Sequence, residues 1–117
     1  MRYKEASLSL EVDDQVITWP GYSFGVPGLA VCKAMRGDPK QGYKAVDREW
    51  QLIHVSSGKP IGTNFPSRGA AAGVGQKLFA LWPHWSSSAE EILANGDLME
   101  KARDVVYGEA VDGDNHA

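Results

Sequence analysis

The stretch Trp50-Gln-Leu-Ile-His-Val-Ser-Ser-Gly58, followed by Lys59-Pro-Ile-Gly-Thr-Asn-Phe-Pro66, decides the fold. Trp50–Ser56 has the aromatic and β-branched content of a strand, and Ser57-Gly58 closes it with a turn. Pro60–Thr63 reads as a short edge strand. Ser67 then stands at an N-cap position, ahead of a helix from about Arg68 to Trp82 that Pro83 stops. Ala71, Val74, Leu78 and Leu81 recur on one face of that helix. Gly73 and Gly75 each weaken it by ~1 kcal/mol relative to Ala, which predicts close approach of its backbone to a sheet.

Working outward, residues 3–12 alternate: Ala6, Leu8, Leu10 and Val12 point one way, and Glu5, Ser7, Ser9 and Glu11 the other. A period of two with one polar face is a half-buried strand. Asp13-Asp14 supplies a turn into a second strand, Gln15–Trp19, which Pro20-Gly21 is expected to end. Leu29–Arg36 suits either a short helix or a strand. Strand is preferred, because Trp50–Ser56 needs a partner and Gly37–Arg48 can connect the two. On the far side, Ser88-Ala-Glu-Glu91 is a capping-box pattern. Asn95-Gly96 breaks that helix, and Asp97 is read as the cap of its continuation. Leu98, Ala102, Val105 and Val106 form the inner face up to Gly108. The expectation is an α+β fold: an antiparallel sheet of four to five strands, a C-terminal helix packed on one face, and a second, broken helix. Residues 1–108 form the domain, and 109–117 a flexible acidic tail.

A chain of 117 residues with 43% apolar content fits one globular domain. No run approaches the ~20 apolar residues of a membrane span. The N-terminus lacks a signal-peptide pattern, and Cys32 is the single cysteine. These features predict a cytoplasmic protein with no membrane partner. The net charge of −3 is distributed unevenly: −2 over residues 1–32, +5 over 33–77 and −6 over 78–117. The middle suits an anion and the end a cation, unless the two neutralise each other on one surface.

No pattern demands chemistry. Cys32 and His54, with Asp47 as orienting group, would need the imidazole within hydrogen-bond reach of the sulfur. Setting Arg36 opposite Glu49 places Cys32 opposite Ile53 and His54 opposite Val31, on opposite faces of the sheet. His54, His84 and His116 lack ligand spacing, and Asp112, Asp114 and Asn115 lack the rest of a calcium loop. His84 is placed to cap helix carbonyls. Gly69–Gly75 is glycine-rich, but no Gly-Lys-Ser/Thr follows. The expectation is a protein that is not an enzyme and holds neither cofactor nor metal.

Two binding readings remain. For a protein partner, the anchors are the aromatics Trp19, Tyr22, Phe24 and Trp85, with the acids Glu90, Asp97, Glu100 and Asp104 around them. For nucleic acid, the contacts are Lys33, Arg36, Lys40, Lys44 and Arg48 on a basic 33–48 hairpin, with Arg68 at the helix start. Tyr43 and Trp50 would stack on bases. The sequence pI near 5.5 weighs against the second reading.

Gly28-Leu-Ala-Val-Cys-Lys-Ala34, Trp50–Gly58, Asn64-Phe-Pro-Ser-Arg-Gly-Ala-Ala-Ala72 and Trp85 give the segment from Gly28 to Glu91 a resemblance. It resembles small accessory proteins of bacteriophages and mobile elements. The resemblance implies a sheet, a Ser-Gly turn and a packed helix. It also implies a non-enzymatic role: binding and occluding a host protein or complex, including a nucleic-acid-binding one, as anti-CRISPR and other anti-defence inhibitors do. A homodimer is a further expectation. The resemblance transfers no functional residue.

Overall fold

The computed structural model describes the backbone of residues 2–115 and the side chains of residues 2–107. Five antiparallel strands lie in sequence order: β1 (Lys4–Val12), β2 (Gln15–Ser23), β3 (Leu29–Asp38), β4 (Gly42–His54) and β5 (Lys59–Pro60). Three helices follow: α1 (Arg68–Leu81), α2 (Ala89–Leu93) and α3 (Gly96–Asn115). The architecture is the expected α+β fold with a five-stranded antiparallel sheet. α1 packs on β3 and β4, and α3 packs on α1.

The central pair β3–β4 is buried on both faces. Val31 stands opposite Leu52, and Ala30 opposite Ile53. Leu29, Val31 and Leu52 join Val74 and Leu78 of α1, with Ile92, Leu98, Ala102 and Val106 beyond them. On the other face, Ala30, Cys32 and Ile53 meet Leu8 and Leu10, with Ile17 and Trp19 packed around them. The sheet curls so that the β1–β2 hairpin covers this face. Two hydrogen bonds hold the curl: Glu11 N–H donates to the Gly58 carbonyl at 3.1 Å, and the Tyr43 hydroxyl donates to Asp13 Oδ2 at 2.7 Å.

β2 does not stop at Pro20-Gly21. The Asp13-Asp14 turn has positive φ at both residues (50° and 62°), the geometry of a type I′ hairpin. Val12–Gln15 is therefore a hydrogen-bonded pair, and the pairs alternate from there. Ser7–Pro20 falls on a non-bonded pair, so the missing proline N–H would have pointed away from β1. On that side β2 registers with β3 only at Tyr22–Val31. Trp19 supplements this thin seam by donating Nε1–H to the Lys33 carbonyl at 2.9 Å. Gly21 permits the close crossing. A Cβ there would stand 2.6 Å from Leu8 Cδ1 and 2.7 Å from the Val31 carbonyl oxygen.

The segment Gly37–Arg48 is a strand hairpin rather than a connecting loop. Asp38 Oδ1 accepts from the N–H groups of Lys40 and Gln41, which makes a tight tip. A bulge between Lys33 and Met35 shifts the register. Cys32 consequently faces Gln51, not Ile53, and Arg36 faces Lys44, not Glu49. For Cys32 and His54 the displacement is two residues, so the side-chain faces keep their expected parity.

In the helical part, Ser67 Oγ accepts from Ala70 N–H, as an N-cap should. Ala71, Val74 and Leu78 are buried, but Leu81 is exposed. Of Gly73 and Gly75, only Gly75 makes the expected close approach: a Cβ there would meet Phe24 Cζ at 2.4 Å, whereas Gly73 has open space. Ser88 caps α2. Asn95, not Asp97, caps α3, its Oδ1 accepting from Leu98 N–H at 3.2 Å. α3 continues through Gly108 to Asn115. The expected tail thus begins as helix, and residues 116 and 117 lie outside the described residues.

Gly21→Ala should lower stability by about 1–3 kcal/mol, since the added methyl meets backbone across the β2–β3 seam. Gly73→Ala should be neutral or stabilising by up to ~1 kcal/mol. Urea midpoints of the two variants check the contrast.

Candidate functional site

The aromatics expected as anchors have mostly gone inside. Phe24 and Trp85 are each 3% exposed. Trp85 Nε1–H donates to the Leu78 carbonyl at 3.0 Å, a second bond to an oxygen that also accepts from Trp82 N–H, so Trp85 and not His84 contacts the end of α1. His84 instead lies edge-on to Trp82, with ring centres 5.4 Å apart. Trp19 is half-buried in the curl. Tyr22 is half-buried between Tyr3 and Trp50, with ring centres 6.3 and 6.1 Å away. The acids Glu90, Asp97, Glu100 and Asp104 are all exposed along α2 and α3.

The basic set divides. Lys33 pairs with Asp47 at 3.1 Å and Arg36 with Glu49 at 3.9 Å, across partly exposed surface where such pairs contribute ~0–1 kcal/mol. Arg68 lies over the Tyr3 ring at 3.9 Å and the Tyr22 ring at 4.9 Å. Lys40, Lys44 and Arg48 are exposed on the hairpin. Tyr43 is committed to Asp13. That hydrogen bond, reinforced by nearby carboxylates, pushes its hydroxyl up to about 12. The hairpin therefore presents three cations that form no ion pair among the described residues, with Tyr43 tied down.

The Cys32 and His54 side chains occupy opposite faces and do not meet. Burial pushes the Cys32 thiol up to about 12, which leaves it protonated at neutral pH. His54 is 5% exposed. Its Nε2 lies 2.9 Å from the Ser87 carbonyl oxygen, so this nitrogen carries the proton, and Nδ1 lies 2.8 Å from Ser57 Oγ. The imidazole thus joins the end of β4, the Ser57 turn and the connection between α1 and α2. Among the described residues no three His, Cys, Asp or Glu side chains group in a way that would hold a metal. No helix among them is long and apolar enough to cross a membrane.

The surface feature missed by sequence reasoning is a groove between the Lys59–Gly62 segment and helices α2 and α3. One half, about 260 Å³, is bounded by Ile61, Ile92, Leu93 and Met99, with His54 at its inner end. The other half, about 250 Å³, shares Ile61, Gly62, Met99 and Ala102 and runs on to Arg103 and Tyr107. Gly62 lines both halves: at φ 74° it lies against α3, and a Cβ would stand 2.4 Å from Val106 Cγ1. Leu93 is 63% exposed, Met99 37% and Tyr107 44%. A signal was present in the spacing. Met99 sits one position past Leu98, and Tyr107 one past Val106, beside the buried Leu98–Ala102–Val106 stripe and facing solvent.

Comparison with protein-family models, curated proteins and solved structures returned no match.

In the folded protein Cys32 should resist a water-soluble disulfide reagent at pH 8 and react fully once urea unfolds the chain; rapid native-state labelling would contradict its burial. Because its pKa is raised from 9.0, the stability it contributes is complete below about pH 9 and is lost as pH rises toward 12. Urea midpoints should fall across that window.

Proposed function

We propose that this chain is a non-enzymatic protein-binding module that acts by occluding the surface of its partner through the groove between the Lys59–Gly62 segment and α2–α3. One observation carries the reading. Leu93, Met99 and Tyr107 stay exposed around one apolar depression, whereas the other exposed large apolar side chains, Val16, Val55, Phe79 and Leu81, line neither half of it. Apolar side chains grouped at a concave surface favour a partner, because covering them releases hydration at ~25 cal/mol per Å². Lys59 in one half and Arg103 in the other supply charged groups of the kind that rim such a contact.

The resemblance of Gly28–Glu91 to small phage and mobile-element proteins supplies the biological setting of this proposal. In that setting the chain is an accessory factor in the host cytoplasm, and its partner is a host defence protein or complex of the kind that anti-CRISPR proteins disable. The nucleic-acid reading keeps one favourable observation: Lys40, Lys44 and Arg48 are exposed on one hairpin and make no ion pair among the described residues. It is weaker than the protein reading because Lys33, Arg36, Arg68 and Tyr43 are engaged within the fold.

Affinity capture from bacterial lysate, with and without nuclease, separates the two. The expected result is a host protein that survives nuclease, is lost at least tenfold on Leu93→Asp/Met99→Asp, and is retained by Lys40→Ala/Lys44→Ala/Arg48→Ala. Capture of nucleic acid alone, abolished by the triple alanine variant and by moderate salt, would overturn the proposal.

A further inference from the structure

Resting on the protein-binding reading, we infer that the groove takes an amphipathic helix of its partner whose apolar stripe is flanked by carboxylates. Three features of the groove point to this occupant. The first is charge. Lys59 lies at the turn end of one half and Arg103 on the helix wall of the other, and no acidic side chain lines either half. Neither cation has a carboxylate partner among the described residues. The exposed acids nearest in sequence to Arg103, Glu100 and Asp104, line neither half. A cation at each half of an apolar trough selects apolar segments that bring carboxylates, and repels those that bring Lys or Arg.

The second feature is the backbone of the β5 edge. A partner strand added there would need outward N–H donors. Pro60 has none, Ile61 N–H is spent on the Leu52 carbonyl at 2.7 Å, and Lys59 N–H on Ser57 Oγ at 3.3 Å. The two residues of β5 therefore offer a partner strand no free N–H, which favours recognition through side chains, as in helix-in-groove binding. The third is length. The wall from Met99 to Tyr107 is two turns of α3, about 12 Å, and α2 extends it. Two to three turns of a bound helix, with apolar residues at i, i+4 and i+7, match that span.

The test uses the full chain and two fluorescein-labelled synthetic helices of about 16 residues, long enough for measurable helicity. Each has leucines at i, i+4 and i+7. One carries glutamates beside the leucine stripe, and the other lysines in the same places. Fluorescence anisotropy should show the glutamate helix binding at least tenfold more tightly, with affinity falling as salt rises. Lys59→Glu/Arg103→Glu should reverse the preference, and Met99→Asp should abolish both. Thermal melts confirm that these surface variants remain folded. Equal binding of the two helices, no response to the charge-reversal pair, or no binding of the glutamate helix would each overturn the charge assignment. The protein-binding reading fails separately, if Leu93→Asp/Met99→Asp leaves capture of the lysate partner intact.

Discussion

The β3–β4 pair is the constraint on which the rest of the molecule depends. Val31 and Leu52 project into the helical layer, and Ala30, Cys32 and Ile53 into the curl of the sheet. Each fully buried aliphatic side chain contributes ~1.5–3 kcal/mol, so two covered faces yield far more than one. A slip of one residue would exchange the two sets and leave both covers badly matched. The demand for a second cover explains the long β1–β2 hairpin, the glycine crossing at Gly21 and the hydrogen bonds that close the curl. The demand for the first explains α1 and its Gly75 contact.

Much of this was legible because short-range chemistry dictates it. Strict alternation marked β1, the serine caps marked α1 and α2, and the Leu98–Ala102–Val106 spacing marked the buried stripe of α3. What escaped was set by pairs distant in sequence. Pro20 looked like a strand end until the register placed its missing N–H away from β1. Gly37–Arg48 looked like a loop because its strand character depends on the bulge and on the Tyr43–Asp13 contact, which spans 30 positions. Trp85 and Phe24 looked like exposed anchors because tryptophan and phenylalanine serve cores and interfaces equally well. The groove was legible only in part: the spacing of Met99 and Tyr107 puts both outside the buried stripe, but its other wall comes from Ile61 and Gly62, about 40 positions earlier.

The same packing explains why the groove is where it is. Gly62 lets the segment after β5 come against Val106, and His54 ties the adjoining turn to the α1–α2 connection through Ser57 and Ser87. That wall is therefore held against the helices, while Leu93, Met99 and Tyr107 stay exposed beside it. The basic hairpin has the opposite character. Its charges lie on a strand extension whose polar groups are largely satisfied within the fold, and an isolated exposed cation is ordinarily solvated.

Hydrogen–deuterium exchange of the chain, alone and bound to its captured partner, tests the central claim most directly. Binding through the groove predicts added protection of amides in residues 59–63 and 89–107, with residues 36–48 unchanged. Protection confined to residues 36–48, with exchange across α2 and α3 unaltered, would contradict it and move the functional surface to the basic hairpin.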